Sequence, residues 1–375
     1  MNPIQMVDLR TQYLRIKPEI DAAVQRVLDS TAFIQGSPVH DFEEQLAQYT
    51  GSKHVISCGN GTDALAASLM ALGIGQGDEV ITTPFTFIST VEAIALSGAT
   101  PVFADIHEET FLMDTQKLEA IITPKTKAII PVHLYGQCAD METILNIAKQ
   151  HNISVIEDAC QAIGAEYSFS DGSVKQAGTM GEIGCLSFFP SKNLGCFGDG
   201  GALMTQDAVL AERLRMICRH GSKERYRHEI IGINSRLDTL QAAILNVKLN
   251  HLNEFLTARK NAANHYYTEL SGIEWLELPK PFPHSTHTYH QFTVKVKNGH
   301  RDALKQYLSD KVIPSMIYYP VPAHLQPAYT YLNYGENDFP VTEQLCKEVL
   351  SLPMHTELTE EQLEYICLTI KNFPL

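Results

Sequence analysis

Ala128-Ile-Ile-Pro-Val132, Asp140-Met-Glu-Thr-Ile-Leu-Asn-Ile-Ala-Lys-Gln150 and Ile153-Ser-Val-Ile-Glu157 follow one another along the chain. The first and last are short apolar runs that read as buried strands. The middle one spaces Met141, Ile144, Leu145 and Ala148 three and four residues apart, as an amphipathic helix does. Two parallel strands need a crossover between them, so strand, helix, strand is the unit of a parallel sheet. The same alternation extends outward to about residue 205, with further strands expected at 54–58, 80–83, 100–104, 185–189 and 201–205. Helical spacing is expected at 62–72, 88–96, 208–219 and 237–256. The expected fold class is α/β, with a mostly parallel seven-stranded sheet between helices.

Beyond residue 257 the rhythm changes to a helix at 258–270, a Pro-rich stretch at 278–283, an alternating strand at 289–296 and helices at 301–309, 341–350 and 359–371. This reads as a smaller α+β unit. The expected division is a large unit over 1–256, whose N-terminal segment is open to packing on its neighbour, and a small unit over 257–375. The whole chain has 375 residues, 29 basic against 43 acidic side chains and a net charge of −14. An acidic surface repels nucleic acid. No apolar run reaches the roughly 18 residues of a membrane span, and the first twenty residues lack a signal-peptide apolar block. Neither nucleic acid nor membrane is expected as a partner, and the expected location is the cytoplasm. The eight cysteines have no short rhythm, which fits reduced thiols rather than disulfides or zinc.

In open α/β sheets ligands sit outside the carboxyl ends of the strands, so chemistry is sought just after each strand. Ser57-Cys-Gly-Asn-Gly-Thr-Asp-Ala64 leaves a strand and enters a helix, where free N–H groups and the helix dipole suit a phosphate. Taken alone it reads as a helix N-cap at Asn60 or Thr62 with turn glycines. Asp158 ends an apolar strand, where it could face a bound ring or cap the next helix. Lys192, in Ser187-Phe-Phe-Pro-Ser-Lys-Asn-Leu-Gly195, has dry neighbours of the kind that lower an amine's pKa and make it a Schiff-base nucleophile. An anion cradle, an acid and a lysine, each after a strand, together form the equipment for pyridoxal 5'-phosphate. No glycine fingerprint for a dinucleotide or a P-loop is present, which argues against a nicotinamide dehydrogenase.

These residues resemble the DegT/StrS family of sugar-nucleotide aminotransferases, within the fold-type-I pyridoxal-phosphate enzymes. The resemblance runs over nearly the whole chain through Phe33-Ile-Gln-Gly36, Asn60-Gly-Thr-Asp-Ala-Leu65, Thr83-Pro-Phe-Thr-Phe87, Glu157-Asp-Ala-Cys-Gln161, Ser187-Phe-Phe-Pro-Ser-Lys192, Gly198-Asp-Gly-Gly201 and Gly232-Ile-Asn-Ser-Arg-Leu-Asp-Thr-Leu-Gln241. It implies that Lys192 bonds to the cofactor and shuttles a proton, that Asp158 faces the ring nitrogen, and that Gln161 meets the ring hydroxyl. Two unit charges about 4 Å apart attract by about 4 kcal/mol at an effective dielectric near 20, enough to keep that nitrogen protonated. Phe87 is implied as a stacking partner, though an aromatic after a proline is more often core. Gly61, Thr62 and Ser187 are implied as phosphate contacts, with Asn234 reaching the same phosphate from the second subunit of a homodimer. Active sites would then be shared between subunits.

Within the family, the chain resembles the branch acting on a UDP-linked 3-keto-N-acetylglucosaminuronate in surface-polysaccharide synthesis, with L-glutamate as amino donor. That implies Arg236 as reader of the sugar carboxylate, with Tyr318, Tyr319 and His324 lining the sugar pocket. Other 3-keto or 4-keto UDP or dTDP sugars remain open, since that branch reads His-Tyr where this chain has Tyr318-Tyr319. A sugar dehydratase of the same fold replaces the lysine with histidine, so Lys192 argues against it. A non-catalytic regulatory or binding protein is a further alternative. The basic run between Arg213 and His228 reads either as a nucleotide-diphosphate attractor or as a solvated charged face. His284, His287 and His290 read as ordinary loop and strand histidines rather than as a metal set.

Overall fold

Along the central strands, neighbouring side chains point to opposite faces of the sheet and are buried on both. Val55, Ile81, Ile129, Val155 and Leu186 enter one apolar layer, while Ile56, Val80, Ala128, Ile156 and Cys185 enter another. A strand buried on both faces has no polar alternation, as expected of a parallel sheet covered by helices. The computed structural model describes residues 3–374. Its main sheet comprises β1 (His54–Cys58), β2 (Glu79–Thr82), β3 (Thr100–Phe103), β4 (Thr126–Ile129), β5 (Ser154–Asp158), β6 (Ile183–Ser187) and β7 (Gly201–Thr205). The spatial order is β1-β7-β6-β5-β4-β2-β3. β2, β3, β4, β5 and β6 run parallel, and β7 is antiparallel to both β6 and β1.

All seven expected strands are present, with ends shifted by a few residues. Pro131 lacks an N–H, so β4 stops at Ile129 and only an isolated bridge, Val132 to Asp158, continues the pairing. The helices of this region are α4 (Gly61–Leu72), α5 (Ser89–Leu96), α6 (Met141–His151) and α7 (Ala208–Ile217). Three N-terminal helices, α1 (Leu9–Arg15), α2 (Lys17–Ser30) and α3 (Ser37–Thr50), have no counterpart in the sequence reading. α2 buries Ala23 and Val27 against Ala243 of α8 (Thr239–Asn250).

The long helix expected at 237–256 is two helices, α8 and then α9 (Leu252–Leu270), meeting at His251. α9 absorbs the separate helix expected at 258–270, so position 256/257 lies inside a continuous helix. Further along, β8 (Leu276–Glu277), β9 (Phe292–Val296) and β10 (Val349–Leu352) form a small antiparallel sheet. They are joined by α10 (Arg301–Asp310), α11 (Pro340–Glu348) and α12 (Glu360–Lys371). The helix expected to reach residue 350 ends at Glu348, because Val349 and Leu350 pair with Lys295 and Val294 of β9. Ile4 packs into this core beside Tyr266, Phe292 and Leu352. Among the described residues no helix is long and apolar enough to cross a membrane. All eight cysteines are unpaired, and seven are buried.

Candidate active site

Four strands of the main sheet end at one cavity of about 620 Å³. Asn60, Gly61 and Thr62 follow β1, Thr86 and Phe87 follow β2, Asp158 closes β5, and Ser187 and Lys192 come from the end of β6 and its loop. Tyr318, Tyr319, His290 and Gln291 complete the wall from the C-terminal part of the chain.

The start of α4 follows from its cap. Asn60 is extended, and its side chain accepts from the Asp63 amide at 2.8 Å. The amides of Gly61 and Thr62 remain at the end of the helix axis, where the dipole favours an anion. A Cβ on residue 61 would lie 2.8 Å from Cys160 Sγ and 2.9 Å from Ser187 Cβ, so only glycine fits. Ser235 braces this turn, accepting from the Gly59 amide at 2.8 Å and donating to Asp63 at 2.7 Å.

Asp158 is 6% exposed and caps no helix. Its Oδ2 accepts from the Thr90 hydroxyl at 2.7 Å and its Oδ1 from the Cys160 amide at 3.2 Å. Gln161 accepts from the Tyr135 amide at 2.9 Å and donates to the Tyr319 hydroxyl at 3.2 Å, which fixes the direction of its side-chain amide. Phe87 is 55% exposed, with its ring 6.3 Å from that of Tyr319.

Lys192 sits on a loop tied down from several sides. Its amide donates to the Phe189 carbonyl at 2.8 Å, the buried Lys248 ammonium to the Gly195 carbonyl at 2.6 Å, and the Phe197 amide to Gln241 at 2.8 Å. Burial lowers the Lys192 pKa, while nearby Cys160 and Asp158 act in the opposite direction. The amine therefore holds a larger neutral fraction at a given pH than an ordinary lysine, as a nucleophile requires.

Beside Asp158 on β5, fully buried Glu157 accepts from the amides of Gly178, Met180 and Gly181 at 2.6–2.8 Å. It also meets His133 Nε2 at 2.8 Å. His133 Nδ1 accepts from the Ala139 amide, which leaves the ring hydrogen on Nε2.

Other expected residues lie elsewhere. Asn234 is exposed and bridges Arg219, and Arg236 lines a separate crevice with Gln35, Ser57 and Arg219. His324, expected in the sugar pocket, is 2% exposed and packed on Phe103 and Phe339, with Nε2 3.2 Å from Glu343. Its imidazole is enclosed by that cluster and by the carboxylate, so it does not reach the cavity. The basic run disperses: Arg215 bonds Glu43 at 2.9 Å, Lys223 pairs with Glu212, and Arg225 lies over the Tyr226 ring. Among the described residues no three His, Cys, Asp or Glu side chains gather to hold a metal ion. His287 stacks on Tyr289. His290, read as an ordinary strand histidine, lies ahead of β9 and lines the cavity.

A family model described as the DegT/DnrJ/EryC1/StrS aminotransferase family matches residues 14–371. A "Pleiotropic regulatory protein" of Geobacillus stearothermophilus is 48% identical over 99% of this chain and 98% of its own length. The "UDP-2-acetamido-2-deoxy-3-oxo-D-glucuronate aminotransferase" of Pseudomonas aeruginosa is 44% identical over 98% of this chain and all of its own. The solved structure of S. venezuelae DesV in complex with a ketimine intermediate superposes with a TM-score of 0.95 at 40% identity, covering 99% of this chain and 98% of that one. Other similar solved structures carry pyridoxal phosphate or its amino form. The cavity suits that cofactor: a glycine-only cradle at a helix start, a buried carboxylate and a half-buried amine surround one space. On these grounds the chain belongs to the DegT/DnrJ/EryC1/StrS aminotransferase family, whose members depend on pyridoxal phosphate.

Proposed function

We propose that this enzyme transfers the amino group of L-glutamate to the keto carbon of a nucleotide-linked sugar, with UDP-3-keto-N-acetylglucosaminuronate as the substrate and surface polysaccharide as the destination. The observation that carries the reaction is the convergence of Lys192, Asp158 and the Gly61 cradle on one cavity. Bound there, pyridoxal phosphate supplies an aldehyde that carries the amino group and a protonated ring that accepts electrons. Gly61, Thr62 and Ser187 would hold its phosphate, Asp158 would face its ring nitrogen, Gln161 its ring hydroxyl, and Phe87 would cover one ring face. Lys192 Nζ would anchor the group and would hold or move a proton beside the reacting carbon.

Tyr318 and Tyr319 form the sugar side of the cavity. Asn234 and Arg236 lie outside their own chain's cavity, and this favours an assembly in which a second copy supplies them, Asn234 to the phosphate and Arg236 to the sugar carboxylate. Full-length similarity to a chain named for the 3-oxo-glucuronate supports that sugar. Similar chains named for UDP-N-acetyl-3-dehydro-glucosamine and for dTDP-3-amino sugars define the competing substrates. Single-turnover assays with 3-keto and 4-keto UDP and dTDP sugars test the assignment. The expected result is fastest turnover with the 3-keto uronate, and a selective loss of that preference in Arg236→Ala. Equal losses on neutral sugars contradict the role of Arg236, and inactivity on every keto sugar contradicts the reaction.

A further inference from the structure

Two threonine hydroxyls form a chain behind Asp158, and counting hydrogens gives its direction. Thr90, fully buried on α5, places Oγ1 2.7 Å from Asp158 Oδ2. An ionised carboxylate only accepts, so the single hydroxyl hydrogen of Thr90 is committed to it in preference to the Phe87 carbonyl at 3.4 Å. Thr86 Oγ1 lies 3.1 Å from Thr90 Oγ1. With the Thr90 hydrogen already placed, the hydrogen of that second contact belongs to Thr86. Thr86 lines the cavity. Asp158 Oδ1 is held from the other side by the Cys160 amide, so donors on two different elements fix the plane of the carboxylate.

We propose that Thr90 is a positioning residue for the reaction, holding the Asp158 carboxylate turned towards the cofactor's ring nitrogen, with Thr86 as the donor that orients Thr90. This rests on the reading of Asp158 as the ring-nitrogen partner. A hydrogen bond to the charged form of an acid favours that form. Lys192, Cys160, Cys185 and Tyr319 also interact with Asp158. Asp63 and Asp199 line the same cavity. Burial pushes both thiols and the phenol upward, which leaves them neutral.

The test uses the holoenzyme of Thr90→Val, which keeps the shape and removes the hydroxyl, beside Thr90→Ser and Asp158→Asn. The readouts are the L-glutamate half-reaction against pH and the pH titration of the bound cofactor's visible band. Thr90→Val is expected to slow the half-reaction roughly 10- to 100-fold, the worth of a hydrogen bond to a charged group. It is also expected to move the acid limb and the band's midpoint to higher pH. Thr90→Ser is expected to restore all three. Wild-type rate and midpoints in Thr90→Val, or no recovery in Thr90→Ser, overturn the inference while an impaired Asp158→Asn keeps the Asp158 reading. A wild-type Asp158→Asn overturns that reading itself. If Thr90→Val fails to fold, Thr86→Val decides: a smaller shift in the same direction supports the chain, and no shift overturns it.

Discussion

At Gly61 one methyl group separates a phosphate cradle from a clash, because Cys160 and Ser187 already occupy the space where a Cβ would go. Gly61→Ala is expected to weaken pyridoxal-phosphate affinity about tenfold or more, measured by equilibrium dialysis, with the melting temperature of the apoprotein little changed. Lys192 makes its own prediction through pH. Burial lowers its pKa from the ordinary 10.5, and only the neutral amine attacks an aldehyde. Covalent attachment of cofactor to the apoenzyme should therefore rise with pH and level off below the range of a free lysine. Asp158 raises the Lys192 pKa, so Asp158→Asn should move that midpoint lower still. Stopped-flow absorbance reads both, and a midpoint at the ordinary lysine value contradicts the burial argument. Lys192 and Asp158 were legible in the sequence because a motif names the residue and the preceding strand names its place. Thr90 and His133 were not, since their partners lie 68 and 24 residues away and no local spacing joins them.

Among the elements, β5 is the one on which most depends. Its last two residues face opposite ways: Asp158 towards the cavity, and Glu157 into a shell of three amides and His133. Removing the Glu157 carboxylate leaves several buried donors without an acceptor. Glu157→Ala is expected to cost about 3–5 kcal/mol, read as a lower urea midpoint. A change under about 1 kcal/mol contradicts the bonding described. Strand positions were readable because apolar runs between turns are a strong local signal. The helix boundary at His251 was not, since unbroken helical spacing hides a junction set by packing. The strand at Val349–Leu352 was lost for a related reason, as it exists only where β9 offers a partner. The missed helix α2 has a moderate amphipathic pattern and depends on α8 and α9 to cover it.

For the whole molecule, buried histidines set an acid limit. Burial lowers His287 to about 3 and His355 to about 4, from an ordinary 6.5. The unfolded chain binds protons at these sites as pH falls below 6.5, and the folded chain does not until near 3 or 4. Stability from this source is therefore complete above 6.5 and declines below it, by up to about 1.4 kcal/mol per pH unit for each site. The urea midpoint should fall from pH 6.5 towards 4, and His355→Asn should flatten the slope by about one proton. An unchanged slope contradicts the assignment. Assembly offers a second test at this scale. If Asn234 serves the neighbouring subunit's site, inactive Lys192→Ala and Asn234→Ala proteins should regain part of the wild-type activity when refolded together. No regain contradicts shared sites. The sequence could name Asn234 and Arg236 through a motif, but the single chain does not bring them to its own cavity. His324 shows the reverse case, a residue placed by its neighbours in sequence and enclosed by Phe103, Phe339 and Glu343 in space.

The most direct measurement is borohydride reduction of the yellow holoenzyme followed by mass mapping of its peptides. The account predicts a single reduced cofactor adduct on the peptide containing Lys192, and none in Lys192→Ala. An adduct on another lysine, or a protein that cannot be loaded with pyridoxal phosphate, contradicts it.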